Sequence, residues 1–143
     1  MLKAILASDE FKQTQGQLVK QPVEWLVGAC RQLQIRPDDK INVLNQLGQL
    51  PFEPPNVGGW PADAAWLTTS ATQVRLRASQ QIASKANVDK LAAAPQATRI
   101  DALARLLVVD AFTARTTEVL KTVANDPRKL LALGLASPEY AVM

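Results

Sequence analysis

The chain has 143 residues, and its 48% hydrophobic and 20% charged content is ordinary for one globular domain with a core. The formal net charge is +3, and the basic residues are dispersed rather than gathered into the patch typical of nucleic-acid-binding proteins. The chain has no histidine and one cysteine, which excludes an internal disulfide, a Ser-His-Asp or Cys-His catalytic site and the common His-containing zinc sites. We therefore predict no cofactor, no metal and no nucleic-acid partner.

No apolar run is long enough to span a bilayer. The first residues, Met1-Leu2-Lys3, begin within a helical pattern and lack the basic, apolar and small-residue regions of a signal peptide. We expect the chain to be either cytosolic or part of a larger protein.

Apolar residues recur at helical spacing through the first third of the chain. Leu2, Ile5 and Leu6 predict the last turns of a helix. A second helix begins at Pro22 and carries one apolar stripe, which consists of Val23, Leu26, Val27, Cys30 and Leu33. Cys30 is thus expected to be a buried apolar residue rather than a reactive thiol, with Trp25 covering the edge of the stripe.

A third helix carries Ile41, Leu44 and Leu47 on one face, with Asp38 or Asp39 as its cap and Gly48 at its end. The link between the second and third helices is short. The two helices should therefore pack as an antiparallel pair.

The segment from Leu50 to Trp66 is too rich in proline and glycine to be helix or strand. It nevertheless carries Phe52, Val57, Trp60 and Trp66, which is too much apolar surface for a solvated linker. We predict that the rings of Phe52, Trp60 and Trp66 pack into the surrounding helices and that the fold is organised around this loop. On that prediction, Trp60→Ala would cost about 3 to 5 kcal/mol if the ring is fully buried.

The remaining chain also favours helices. A Ser70–Gln73 capping box should start a surface helix to about residue 86, and three further helices should follow near residues 98, 113 and 127. No alternating pattern predicts a strand. We therefore expect residues 1–143 to form one all-α domain of about six helices around the long loop.

Two short segments resemble each other. Ile5-Leu6-Ala7-Ser8-Asp9-Glu10-Phe11 matches Gly134-Leu135-Ala136-Ser137-Pro138-Glu139-Tyr140. In both, the serine can cap a new turn and the aromatic residue can dock back on the preceding leucine helix. A shared structural device explains the repeat.

The order of segments also resembles a known family. Lys20–Glu24, the string Leu47–Pro61, Ala65–Ser70 and the closing Leu135–Tyr140 are similar to the carboxy-terminal part of bacterial domain-of-unknown-function family 1800. Members of that family are longer and often exported. The resemblance implies that this chain is a carboxy-terminal fragment of a larger, exported protein, and it implies no reaction, because the family has no established activity.

Three functions are compatible with the loop. Its aromatic residues could be structural anchors, or Trp60 and Trp66 could stack on a sugar or peptide, with Glu53, Asn56 and Asp63 binding polar groups. Glu53 and Asp63 could also form the acid–base pair of a hydrolase that is completed by a missing region. The candidate residues for a ligand or partner are Phe52, Glu53, Asn56, Trp60, Asp63 and Trp66.

We predict a non-catalytic helical segment with a structural or interaction role. Its expected partner is the amino-terminal region of its own parent protein. Weak self-association is a further expectation, because faces around Leu2, Ile5 and Trp25 would be exposed without that region.

Overall fold

The computed structural model describes residues 1–14, 16–37 and 40–142 of a helical protein. The cap predicted at Asp38 or Asp39 lies outside these residues. The α-helices of the described chain are α1 (Leu2–Ala7), α2 (Asp9–Gln13), α3 (Pro22–Gln32), α4 (Ile41–Gln46), α5 (Thr69–Lys85), α6 (Asp89–Ala93), α7 (Arg99–Leu107), α8 (Ala114–Thr122), α9 (Pro127–Leu135) and α10 (Pro138–Ala141). Short 3₁₀ turns lie at Asp63–Trp66 and Gln96–Thr98.

The all-α prediction is confirmed, but the predicted number of about six helices is too low. Ten α-helical segments are present in the described residues, and three of them, α2, α6 and α10, are helices of only four or five residues that periodicity does not detect. The described residues contain no strand. One isolated antiparallel bridge joins Val19 to Val142, and it brings the start of α3 close to the end of α10.

The core forms around α5 and α9 rather than around the long loop. These two helices make the most extensive helix–helix contact in the described chain, although α5 was predicted to be a surface helix. Small buried residues allow the close approach; those of α5 are Ala71, Ala78, Ser79 and Ala83. Small side chains give a weak hydrophobic pattern, which is why the sequence suggested only a narrow buried face.

Trp25 lies at the centre of the core, not at its edge. Its side chain is completely buried, and its indole Nε1 donates a hydrogen bond to the carbonyl oxygen of Leu135, 3.1 Å away. The bond joins α3 to the end of α9. The expectation that Trp25 lies on an uncovered face was therefore wrong, whereas Leu2 and Ile5 are exposed as expected.

Two arginines bind the carbonyl ends of helices. Arg128, at the start of α9, donates to the carbonyl oxygens of Ala83 and Ser84 at 2.9 and 2.7 Å, which sets α9 antiparallel to α5. Arg99 binds the carbonyl of Ala124 at 2.6 Å and that of Ala94 at 2.9 Å. These guanidinium groups satisfy backbone acceptors that no helix can pair internally.

The two similar segments form the same cap but differ in packing. Ser8 Oγ accepts a hydrogen bond from the amide of Phe11, and Ser137 Oγ accepts one from the amide of Tyr140. Tyr140 is 1% exposed, as predicted, but Phe11 is 48% exposed. Only the carboxy-terminal aromatic residue docks within the described chain.

Candidate functional site

The candidate site is the loop that joins α4 to α5, residues 47–68. Its first half is held by local hydrogen bonds. The amide of Glu53 donates to the Leu50 carbonyl at 3.1 Å, and the side chain of Asn56 accepts from the Gly58 amide at 2.8 Å. Gly59 follows with a positive φ of 86°, a conformation that glycine adopts at no cost. The tip is therefore shaped by its own turns.

The start of the loop is anchored to α3 through Gln49. This side chain is buried; its Oε1 accepts from the Val23 amide at 2.9 Å and its Nε2 donates to Gln21 Oε1 at 2.6 Å. Glu24 Oε2 in turn accepts from the Gln21 amide at 2.9 Å. Unpaired amides of the first turn of α3 thus find their acceptors in Gln49 and Glu24.

The end of the loop is anchored by Trp66. Its side chain is 4% exposed, and its carbonyl oxygen accepts a hydrogen bond from Arg75 Nη1 at 3.1 Å. The next helix begins after Thr68, whose Oγ1 accepts from the Ala71 amide at 3.1 Å. The helix cap is therefore Thr68, two residues before the predicted Ser70, because the end of the loop turns directly into α5.

Arg75 also connects the loop to Lys20, which in turn binds Tyr140 near the carboxy terminus. Its Nη2 donates to the Lys20 carbonyl at 3.2 Å, and the Lys20 ammonium donates to the Tyr140 carbonyl at 2.8 Å while lying 4.1 Å from the centre of the Tyr140 ring. Burial lowers the pKa of Lys20, an effect that Glu24 partly offsets, and burial also lowers the pKa of Arg75. The base of the loop is thus part of a cationic, partly desolvated cluster.

The tip of the loop is exposed, which overturns the prediction that the Phe52 ring packs into the surrounding helices. Phe52 is 97% exposed and Val57 is fully exposed. Phe52 adopts a positive φ of 67°, a conformation that is uncommon for a bulky residue, in a turn between Pro51 and Pro54. The helices fill the core with Trp25 and their own leucines and leave no place for this ring.

The two loop tryptophans do not form an open platform. Trp60 is partly buried, whereas Trp66 is almost completely buried. Both indole Nε1 atoms are buried without a hydrogen-bond partner among the described residues. A sugar ring could not stack on both indoles, because Trp66 offers almost no accessible face.

The two acidic candidates lie on the surface. Glu53 and Asp63 are both exposed, and neither carboxylate forms an ion pair within residues 1–14, 16–37 and 40–142. Asp63 has a positive φ of 52° and lines a groove with residues of α1 and α2. In the same described residues, no three His, Cys, Asp or Glu side chains are grouped so as to hold a metal ion.

A family model that describes a protein of unknown function, DUF1800, matches residues 1–142. The chain belongs to the DUF1800 family. No curated protein and no solved structure matches the chain. The resemblance seen in the sequence is thereby confirmed, and the DUF1800 match assigns no reaction.

Sequence reasoning missed the polar residues that fix the loop in this DUF1800 chain. Arg75 lies in the helix that was predicted to be on the surface, although Ala71, Arg75, Ala78 and Ile82 follow the spacing of one buried helix face. Nothing in the sequence indicated Gln49, because a single glutamine before a proline-rich loop has no distinctive pattern. No helix of the described residues has the length and apolarity to cross a membrane.

Proposed function

We propose that this DUF1800 chain is a non-catalytic helical interaction segment that docks onto a protein surface through the tip of the 47–68 loop. The observation that carries the proposal is the exposure of Phe52 and Val57 between two anchored ends. A preformed apolar tip loses little conformational entropy on binding. A few such well-packed residues generally supply most of the binding energy of an interface.

The charge of the loop suggests the chemistry of its partner. From residue 41 to residue 74 the only charged side chains are Glu53 and Asp63, both negative, although the whole chain is positive. A complementary surface would offer an apolar pocket for Phe52 with a basic rim. We propose that the amino-terminal region of a longer DUF1800 parent protein supplies this surface.

The exposure of the two carboxylates supports the non-catalytic part of the proposal. A carboxyl group that acts as a general acid generally needs a desolvated environment, and Glu53 and Asp63 are both exposed to water. The burial of Trp66 likewise argues against a carbohydrate-binding platform. We therefore favour protein docking over the hydrolase and the carbohydrate-binding alternatives.

Titration calorimetry with the separately expressed amino-terminal region tests the proposal. We expect Phe52→Ala and Val57→Ala each to weaken binding about tenfold, the effect of losing an interface residue that contributes more than about 1 kcal/mol. Val119→Ala is the matched control, because Val119 is also exposed but lies on α8. This control should bind like the unmodified chain.

The substitutions should leave the fold intact, since the replaced side chains are exposed to solvent. Circular dichroism and urea unfolding verify that each variant is folded. An unchanged dissociation constant for the Phe52→Ala/Val57→Ala double variant, or the absence of binding by the unmodified chain, would refute docking through the tip.

A further inference from the structure

A second apolar surface lies at the amino-terminal helix pair and consists of residues other than Phe52 and Val57. The helices α1 and α2 bury none of their residues within the described chain. Their large apolar side chains, together with one from the following segment, are about half exposed or more: Leu2, Ile5, Leu6, Phe11 and Leu18. Helices of five or six residues are unstable alone, so this face needs a covering surface.

The carboxy-terminal copy of the same capped segment shows what such a covering surface looks like. Tyr140 packs close to the backbone of α3 at Gly28, its hydroxyl donates to Gln32 Oε1 at 2.8 Å, and Lys20 lies over its ring. The equivalent Phe11 has no such cover and remains 48% exposed. In the carboxy-terminal copy, the aromatic residue of the segment thus packs against a helix and a cationic side chain.

Phe11 opens into a groove of about 820 Å³. Its lining includes the apolar side chains of Leu6, Phe11 and Leu18 and the charged side chains of Lys12 and Asp63. Lys12 forms an exposed ion pair with Asp9 at 3.1 Å, whereas the Asp63 carboxylate forms none with any described residue. The groove therefore carries both signs of charge beside an uncovered apolar face.

We propose that a second copy of this chain occupies the groove in a two-fold symmetric dimer. A two-fold interface uses the same patch on both subunits, so it must be self-complementary. Lys12 of one copy then faces Asp63 of the other, twice per dimer, while Phe11 and Leu6 pack between the two helix pairs. The apolar surface comes from only five exposed side chains, which suits a weak dimer rather than an obligate one.

Sedimentation velocity from micromolar to submillimolar concentration tests the dimer. We expect concentration-dependent dimerisation that Phe11→Asp abolishes, since it places a charge in the apolar centre of the interface. Phe52→Asp is the matched control, because Phe52 is even more exposed but lies on the loop tip. This control should dimerise like the unmodified chain, which separates the dimer from docking through the tip.

Exchanging the charges of Lys12 and Asp63 tests whether the groove forms the dimer interface. Lys12→Glu and Asp63→Lys should each weaken the dimer about tenfold, because each change makes two repulsive contacts, and the double variant should restore most of the affinity. Asp9→Asn removes the local partner of Lys12 and should leave the dimer intact. A chain that stays monomeric at every concentration, a dimer indifferent to Phe11→Asp, or a double variant no better than the single ones would overturn the proposal.

Discussion

Arg75 donates a hydrogen bond from Nη1 to the carbonyl oxygen of Trp66, 3.1 Å away, and both side chains are buried. A second bond, from Nη2 to the Lys20 carbonyl at 3.2 Å, ties the segment before α3 to the same guanidinium. One side chain of α5 thus holds the end of the loop and the entry to α3. The base of the loop belongs to the folded core, while Phe52 at the tip does not.

Replacing Arg75 with methionine should lower the free energy of unfolding by about 2 to 4 kcal/mol, because a buried carbonyl group of Trp66 and a partly buried one of Lys20 lose their donor. Arg75→Lys should cost less, since an ammonium can reach one of the two carbonyls. Urea unfolding measures both changes. Arg77→Met is the control, because Arg77 is exposed on the same helix; equal losses at the two positions would show that Arg75 does not anchor the loop.

Gly134 and Gly28 should respond to alanine with opposite signs. A Cβ at Gly134 would lie 2.7 Å from Leu103 Cδ2 and 3.0 Å from Leu107 Cδ1, both of them fully buried side chains. We expect Gly134→Ala to destabilise the protein by about 1 to 3 kcal/mol through overpacking.

At Gly28 the nearest atom, Tyr140 Oη, would be 3.6 Å away, an ordinary contact. Gly28→Ala should therefore stabilise α3 by up to about 1 kcal/mol through helix propensity. Chemical denaturation of the two variants measures both changes in the free energy of unfolding. Stabilisation by Gly134→Ala would show that α7 and α9 do not pack as closely as the structure has them.

Glu139 should make stability depend on pH in the acid range. Burial alone would raise the pKa of this carboxyl, but hydrogen bonds from Thr113 and Thr116 outweigh burial, and the pKa lies below its ordinary value. The amide of Thr113 donates to Oε1 at 2.9 Å and Thr116 Oγ1 to Oε2 at 3.1 Å.

A lowered pKa means that the folded protein favours the carboxylate. This contribution is present above the unfolded-state pKa of about 4.3, and it is lost as the pH falls through the lower folded-state value. Glu139→Gln should therefore reduce the fall in unfolding free energy below that pH, and Thr116→Val should reduce it partly. If the pH profile of Glu139→Gln coincided in shape with that of the native chain, these hydrogen bonds would not stabilise the carboxylate.

Trp25 and Trp60 should differ in their contribution to stability. Trp25→Ala should cost about 3 to 5 kcal/mol, because the ring is fully buried and bonds to Leu135. Trp60→Ala should cost less than that range. The sequence prediction of the same range for Trp60 required a fully buried ring, and this ring is only partly buried. Guanidinium unfolding of both variants tests this order, and a larger loss at Trp60 would reverse it.

Much of the fold follows from periodicity. Leucine and valine spacing located the longer helices, and Ser8, Thr113 and Ser137 cap helices as their side chains suggest. Periodicity did not predict the centre of the core, because α5 packs through alanine and serine, and small residues contribute little to a hydrophobic pattern. Trp25 was misplaced for a related reason: it lies beside the apolar stripe, and its size brings it into the core from there.

The candidate site was predicted less well than the fold. The sequence identified the loop by its prolines and glycines, and it identified Trp66 as an anchor. Phe52 was wrongly assigned to the interior, because apolar character predicts burial only on average and the backbone turn at that residue depends on its neighbours. The contacts of Arg75 and Gln49 join residues far apart in sequence, and local patterns contain no information about them.

Acrylamide quenching of two single-tryptophan proteins tests the central claim, a loop with a buried base and an exposed tip. One protein keeps Trp66 and carries Trp25→Phe and Trp60→Phe; the other carries Phe52→Trp with all three native tryptophans replaced by phenylalanine. Circular dichroism verifies that both are folded. We predict that Trp66 is shielded and that the indole at position 52 is quenched nearly as readily as a free tryptophan derivative. Equal quenching at the two positions would contradict the claim.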